Sequence, residues 1–192
     1  MPVRFAGFTC RLAAIALLVA AGVSPAAEGP IVKPRNGTWI PGDVLEVIAK
    51  ASDARLLVDG EPVRGEESFP GVLHARIKVL AGRHVLRLAS SDGVHEVVVH
   101  TGDSPDGDAS KPYVDHPPVA TECAFCHSVS RRGRFRFSGG CQNCHAEQQF
   151  VQTHSHQSHE LASCGMCHDA HGSSAAKLLL LPKEQACKQC HN

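Results

Sequence analysis

The feature that most constrains this chain is the shortage of large apolar side chains in its carboxy-terminal part. Leu, Ile, Val and Phe make up 12 of the 77 residues between 116 and 192, against 24 of the 71 residues between 31 and 101. The first proportion lies below the level at which a chain normally supports an apolar core of its own. The second part of the chain therefore needs something other than its own side chains to fold around.

A five-residue pattern, Cys-x-x-Cys-His, occurs four times in this same part. The four copies contain every cysteine after Cys10, and they begin 18, 23 and 23 residues apart. Cysteines three residues apart lie on one side of a single turn, so both sulfurs can form thioethers with the vinyl groups of a porphyrin, and the following histidine can bind the iron. The pattern predicts four covalently attached haem c groups. Their attachment residues are Cys123, Cys126, Cys141, Cys144, Cys164, Cys167, Cys187 and Cys190, and their proximal iron ligands are His127, His145, His168 and His191.

Two other uses of paired cysteines are compatible with the spacing. Four Cys-x-x-Cys pairs could form two structural zinc sites, or could form disulfides in an oxidising compartment. Neither alternative predicts a histidine directly after every pair, so haem is the favoured interpretation. Four porphyrins would also supply the missing apolar interior. We therefore expect residues 116–192 to be mostly loops and short helices around the cofactors.

The second axial ligand of each iron decides between an electron carrier and a catalyst. Methionine would raise the potential, but the chain has only Met1 and Met166, and Met166 lies inside a haem-binding loop. Histidine remains, and the candidates for the four distal positions are His116, His154, His156, His159 and His171. Irons with two histidine ligands have no open position for a substrate. We therefore expect outer-sphere electron transfer and no enzymatic activity.

Residues 116–191 resemble the multihaem c-type cytochromes with doubled Cys-x-x-Cys-His motifs. The resemblance rests on His116-Pro-Pro-Val before the first motif, and on Cys167-His-Asp-Ala-His-Gly-Ser followed by a leucine run and the fourth motif. It implies that the extra histidines supply distal ligands, often to a neighbouring haem. The residues to which it gives this role are His116, His156, His159 and His171, with His154 as a further candidate.

The first pair of motifs departs from the pattern of that family. The residues directly after His127 are Ser128-Val-Ser-Arg, where a histidine would be expected. The distal ligand of the second haem is therefore left open, and one of the histidines between 154 and 159 is a candidate for it.

Residues 28–101 are predicted to form an all-β domain. Five short runs are rich in apolar or β-branched residues and are separated by turn formers such as Ser91-Asp92-Gly93. The runs are Val44–Ala49, Arg55–Val58, Leu73–Val79, Val85–Ala89 and Val94–His100. They favour an antiparallel meander in a small immunoglobulin-like β-sandwich. Leu57–Val63 and Gly82–Leu88 also resemble the short β modules called PEGA domains, and a docking or assembly role suits such a domain.

Two segments are predicted to lie outside both domains. Residues 1–27 combine two early arginines, a short apolar run and a small-residue end, which is typical of a secretory signal peptide, with an uncleaved anchor as the alternative. Residues 102–115 are polar and rich in turn formers, as linkers are. The tetrahaem domain then covers residues 116–192. Export would place the mature protein in the periplasm or outside the cell, without a transmembrane segment.

The charge balance and the motifs together narrow the range of possible functions. The 19 basic and 19 acidic side chains cancel, which argues against a nucleic-acid binder. The expected function is electron transfer between redox proteins along four closely spaced haems. The alternative is a subunit of an extracellular filament or conduit, because the fifth histidine could be donated to a neighbouring copy. A multihaem reductase is a distant third, since every motif keeps its histidine.

Residues 116–192 are predicted to fold only with haem, by the coupling that leaves zinc fingers unfolded without metal. Limited proteolysis of the full chain, made without haem attachment, should degrade these residues and leave a resistant fragment close to residues 28–101. The haem-loaded chain should resist proteolysis in both parts, residues 28–101 and residues 116–192. Mass spectrometry of the fragments is the readout, and equal resistance of the carboxy-terminal part with and without haem would contradict the expectation.

Overall fold

The computed structural model describes residues 29–105, 112–116, 122–138, 141–145 and 164–188. The predicted signal peptide, residues 1–27, lies outside the described residues, and so do residues 106–111 of the predicted linker. Within the described ranges, no helix has the length and apolar character needed to cross a membrane.

Nine strands between residues 31 and 101 form two sheets. They are β1 (Ile31–Lys33), β2 (Thr38–Ile40), β3 (Val44–Lys50), β4 (Arg55–Val58), β5 (Glu61–Val63), β6 (Glu66–Phe69), β7 (Val72–Lys78), β8 (Gly82–Ser90) and β9 (Gly93–Thr101). The strand orders are β1-β3-β7-β6 in one sheet and β2-β9-β8-β4-β5 in the other. Every pairing is antiparallel except that of β2 with β9. The amino-terminal part is therefore a β-sandwich.

The apolar core lies between these two sheets. Alternate residues of β3, namely Leu45, Val47 and Ala49, are fully buried, and Leu86 and Leu88 of β8 are buried in the same cluster. Successive side chains of a strand point to opposite faces, so this alternation is what a sheet with one buried face requires. The five strands predicted from the sequence are present, and the two residues between β8 and β9 form the predicted turn.

The part of the chain beyond residue 121 has little regular structure. It contains a hairpin of β10 (His127–Val129) and β11 (Phe135–Phe137), one short helix, α1 (Lys183–Lys188), and several single turns. Among the described residues beyond 121, no large apolar side chain is buried, and the buried polar ones are Asp169 and Ser173. This part of the chain therefore has no apolar core within the described ranges.

Residues 112–116 connect the two parts of the chain. The amide of Tyr113 donates to the carbonyl of Trp39 in β2 at 2.6 Å. Val114 and Ser173 exchange two backbone hydrogen bonds of 2.9 Å each, and the side chain of Tyr113 is buried. Part of the segment predicted as a linker thus forms a bridge between the sandwich and the motif region.

Ion pairs reinforce this bridge. Lys33 of β1 is buried and contacts the carboxylates of both Glu46 and Asp115, and its ammonium lies 5.9 Å from the centroid of the Tyr113 ring. Arg35, in the loop after β1, pairs with Asp169 at 2.7 Å. The junction between the two parts is therefore built largely from charged and polar groups.

Gly172 is predicted to be required by the packing of Tyr113. It has a φ of +133°, and a Cβ added there would lie 2.6 to 2.8 Å from atoms of the Tyr113 side chain. Gly172→Ala should lower the free energy of unfolding by about 1–3 kcal/mol through overpacking, in addition to the strain of a positive φ. Thermal unfolding of the haem-loaded chain, followed by tryptophan fluorescence, would measure the loss.

Gly93→Ala is the matched control for this substitution. Gly93 has a similar φ, +126°, but no atom lies within 4 Å of the added Cβ. The control should therefore show the backbone strain alone. Equal losses at the two positions would contradict the packing role of Gly172.

Candidate haem-binding site

Three of the four pentapeptides fold into the same short turn. The amide of the second cysteine donates to the carbonyl of the first, at 3.2 Å in Cys123–Cys126, 3.2 Å in Cys141–Cys144 and 3.1 Å in Cys164–Cys167. In the second and third motifs, the amide of the following histidine donates to the same carbonyl at 2.8 and 2.9 Å. Each pair of thiols therefore leaves one turn, with the histidine directly after it.

The fourth pentapeptide is described only in part. Cys187 lies in α1 and is exposed, whereas Cys190 and His191 lie outside the described residues. The candidate distal ligands His154, His156 and His159 lie outside them as well.

The hairpin between the first two motifs fixes the position of His127. β10 begins at this histidine, which is paired with Phe137 of β11. The amide of Ser138, just after β11, donates to the carbonyl of Cys126 at 2.8 Å. Backbone hydrogen bonds thus hold the first pentapeptide and its histidine against the second strand of the hairpin.

The structure brings His127 together with His171, which follows the third motif. Their ring centroids are 6.0 Å apart, and their planes are 3° from parallel. A metal-bound imidazole nitrogen lies about 2 Å from its metal, so two imidazoles on opposite sides of one metal have centroids about 6 Å apart. Burial, and after it the charge of His171, lower the pKa of His127. This favours the neutral imidazole that binds metal.

A second histidine pair joins the bridge to the second motif. The ring centroids of His116 and His145 are also 6.0 Å apart, with planes at 89°. Within the described residues, the buried Nδ1 atom of His116 has no hydrogen-bond partner. Buried polar atoms are rarely left unpaired in proteins, so a ring nitrogen in this state is suited to an additional ligand. The separation again equals that of two imidazoles across one metal.

The histidine of the third motif is oriented by the backbone that follows it. His168 Nδ1 lies 2.9 Å from the carbonyl oxygen of Lys177, and the amide of Leu180 donates to the carbonyl of Cys167 at 2.8 Å. Metal-binding histidines commonly donate one ring N–H to a carbonyl, which leaves the other nitrogen for the metal. His168 therefore has the surroundings of a proximal ligand.

Thiols of different motifs lie close to one another. Burial, and after it the neighbouring thiol of Cys164, raise the pKa of Cys141, and Cys126 acts in the same direction. The seven described cysteines are free thiols. Within the described ranges, no group of three or more His, Cys, Asp or Glu side chains could hold a metal ion directly. The first three attachment sites are therefore neighbours.

Exposed apolar side chains accompany the pentapeptides. Phe125 is 64% exposed, Phe137 is 57% exposed, and Met166 is also exposed. A porphyrin attached at the adjacent cysteines offers an apolar surface that could cover such side chains. The paired thiols, the histidine separations and this apolar surface all fit haem c.

The sequence predicts candidate ligands, but it does not indicate which of them lie together or which groups support them. It left the distal ligand of the second haem among residues 154–159, whereas the structure places His116 beside His145. It also missed Asp169, whose buried carboxylate contacts His171. The available signal for Asp169 was its position between His168 of the third motif and His171, which follows that motif.

Comparison with known proteins supports the cofactor. No curated protein matches the chain. The solved structure of Clostridium thermocellum CbhA fibronectin(III)-like modules is similar to this chain with a TM-score of 0.32 and 20% identity, over 39% of this chain and 96% of that chain. Residues 156–192 match the family described as Doubled CXXCH motif. That match indicates covalently bound haem c and supports a multihaem c-type cytochrome involved in electron transfer.

Proposed function

We propose that the chain is an exported tetrahaem c-type cytochrome that carries electrons by outer-sphere transfer between redox proteins. The observation that carries the proposal is the pairing of motif histidines with histidines from outside the motifs. His127 lies beside His171 and His145 beside His116, each with ring centroids 6.0 Å apart. Each pair would hold one iron from its two sides. Haem, when bound, supplies an iron centre that gains and loses a single electron.

The same ligation is proposed for the remaining two sites. His168 and His191 would be the proximal ligands, and the distal ligands would come from His154, His156 and His159, with the latter two favoured by their spacing before the third motif. Two histidine ligands leave no open coordination position for a substrate. Electron transfer, and not enzymatic catalysis, is therefore the proposed chemistry.

The spacing of the attachment sites supports transfer along an array. Thiols of the first three motifs are neighbours, as the raised pKa of Cys141 beside Cys164 and Cys126 indicates. Porphyrins attached there would be close together, and short distances favour electron exchange between them. Histidine on both sides of each iron would place the potentials below those of sites with a methionine ligand.

Export is proposed from the composition of residues 1–27. Covalent haem attachment and a signal peptide both agree with a periplasmic or extracellular protein. The β-sandwich would then serve docking or assembly with redox partners.

The number of histidines favours a second candidate function. Residues 116–192 contain five histidines outside the motifs for four distal positions, so one could bind an iron in a neighbouring copy. The chain would then be a subunit of a polymeric filament or electron conduit.

The exported protein is predicted to carry four haems per chain, each with six-coordinate, low-spin iron. The pyridine haemochrome assay, referred to protein concentration, counts the haems, and the absorption spectrum of the oxidised protein reports the spin state. Light scattering over a range of concentrations separates the two candidates. A stable monomer supports the carrier, and concentration-dependent growth supports the filament subunit. A chain without covalent haem, or with a high-spin band in the oxidised state, would contradict the proposed ligation.

Removing either proposed distal histidine, His171 or His116, is predicted to leave one of the four irons with a vacant coordination position. His171→Ala and His116→Ala should each give a high-spin signal and carbon monoxide binding at one haem, because the distal position becomes vacant. His95→Ala is the control, since this histidine is an exposed strand residue of β9. In a chain that lacks the first haem, through Cys123→Ala and Cys126→Ala, the His171→Ala substitution should have no further effect. Carbon monoxide binding at an additional haem in that background would show that His171 serves another iron.

A further inference from the structure

The buried carboxylate of Asp169 contacts both parts of the chain. Its side chain is 5% exposed. One oxygen, Oδ2, accepts hydrogen bonds from Nε and Nη2 of Arg35 at 2.9 and 2.7 Å. The other, Oδ1, accepts the backbone amide of His171 at 3.0 Å and lies 3.5 Å from His171 Nδ1. A carboxylate removed from water needs such partners, and here they come from two different domains.

The carboxylate of Asp169 lies between the guanidinium of Arg35 and the imidazole of His171. A carboxylate beside Nδ1 favours the proton on that nitrogen, which leaves Nε2 of His171 for a metal. Carboxylate partners of this kind orient metal-binding histidines in many proteins.

Arg35 is fixed by the β-sandwich. The hydroxyl of Thr38 donates to the Arg35 carbonyl at 2.8 Å. The next two residues both form hydrogen bonds with Val98 of β9. Asn36 Oδ1 accepts the Val98 amide at 2.8 Å, and the Gly37 amide donates to the Val98 carbonyl at 2.7 Å. The loop that carries Arg35 is thus tied to β9, so the sandwich fixes the backbone from which the guanidinium extends to Asp169.

The sandwich also contacts the other histidine of the pair. The ring of Phe69, in β6, lies 5.1 Å from the ring of Phe135 and 6.4 Å from that of His127, and Phe135 stacks on His127 at 4.6 Å. The β domain therefore contacts His127 through Phe69 and is linked to His171 through Asp169.

We propose that the β-sandwich positions the ligand pair of one haem, with Arg35 acting through Asp169 to hold the His171 imidazole at its distance from His127. Arg35 is a positioning residue, since it touches Asp169 and not the iron ligands themselves. The inference rests on the proposed function, because it requires His127 and His171 to share one iron. It adds a role for the β domain that docking or assembly does not include.

Arg35→Gln tests this role in the haem-loaded full chain. The substitution removes the charge and the two-pronged contact, so His171 should dissociate from its iron for part of the time. The fraction of haem that binds carbon monoxide should rise from near zero toward one haem in four. Arg35→Lys keeps the charge with a single donor group and should give a smaller rise. Asp169→Asn weakens the same link from the other side and should give a rise similar to that of Arg35→Gln.

Arg87→Gln is the matched control for the loss of an arginine–carboxylate pair. It removes the contact of Arg87 with Glu96 between β8 and β9 but leaves Arg35 and Asp169 in place, so carbon monoxide binding should stay at its original level. Arg35→Gln combined with His171→Ala should bind no more carbon monoxide than His171→Ala alone, because both act on one haem.

Three outcomes would overturn the positioning role. They are unchanged carbon monoxide binding in Arg35→Gln, an equal rise in Arg87→Gln, and additive effects of Arg35→Gln and His171→Ala. Failure of the proposed function would look different. The unsubstituted chain would then carry fewer than four haems, or His171→Ala would not create a site that binds carbon monoxide. Circular dichroism of each variant checks that the sandwich has folded.

Discussion

The lack of buried apolar side chains among the described residues beyond 121 is the constraint on which the rest of the arrangement depends. Hydrophobic burial is the main stabilising contribution in most domains, and here it lies between the two sheets of the sandwich. In the described residues beyond 121, order comes from backbone hydrogen bonds within the pentapeptide turns, from one small hairpin, and from polar contacts with the sandwich. Such contacts leave room for a large apolar cofactor to supply the missing interior. The motif region is thus built to be completed by haem and by its neighbouring domain.

The contact between Arg35 and Asp169 orients side chains more than it stabilises the fold. Burying an ion pair costs desolvation energy that can exceed the attraction between the charges, so a pair of this kind is weak evidence for added stability. Its directional hydrogen bonds, however, restrict where the carboxylate can lie, and the carboxylate in turn restricts His171. If His171 binds iron as proposed, an imidazole held in this way would lose less conformational freedom on binding. Apolar contacts at this junction would have stabilised the fold without orienting the His171 imidazole, which accounts for the polar groups found there.

Patterns short enough to be local could be read from the sequence. The long strands β3, β7, β8 and β9 follow from alternating apolar residues, and the turn of each pentapeptide follows from the spacing of its cysteines. The strands β1, β2, β5 and β6 have three or four residues each, too few for the alternation to be recognised. β4 is equally short, but its apolar run of Leu56, Leu57 and Val58 directly before the turn formers Asp59 and Gly60 predicts it. The pairing of His127 with His171 and of Arg35 with Asp169 joins residues far apart in the chain, the latter 134 positions. No periodicity encodes such contacts, because they arise from how the two parts pack.

An experimental structure of the haem-loaded protein, determined to a resolution that defines the axial ligands, tests the central claim most directly. The account predicts that the porphyrin joined to Cys123 and Cys126 has iron bound by His127 on one side and His171 on the other, with Asp169 between Arg35 and the distal imidazole. An iron at that site with a different distal ligand, or thiols of the first motif bound to zinc or joined as cystine, would contradict it.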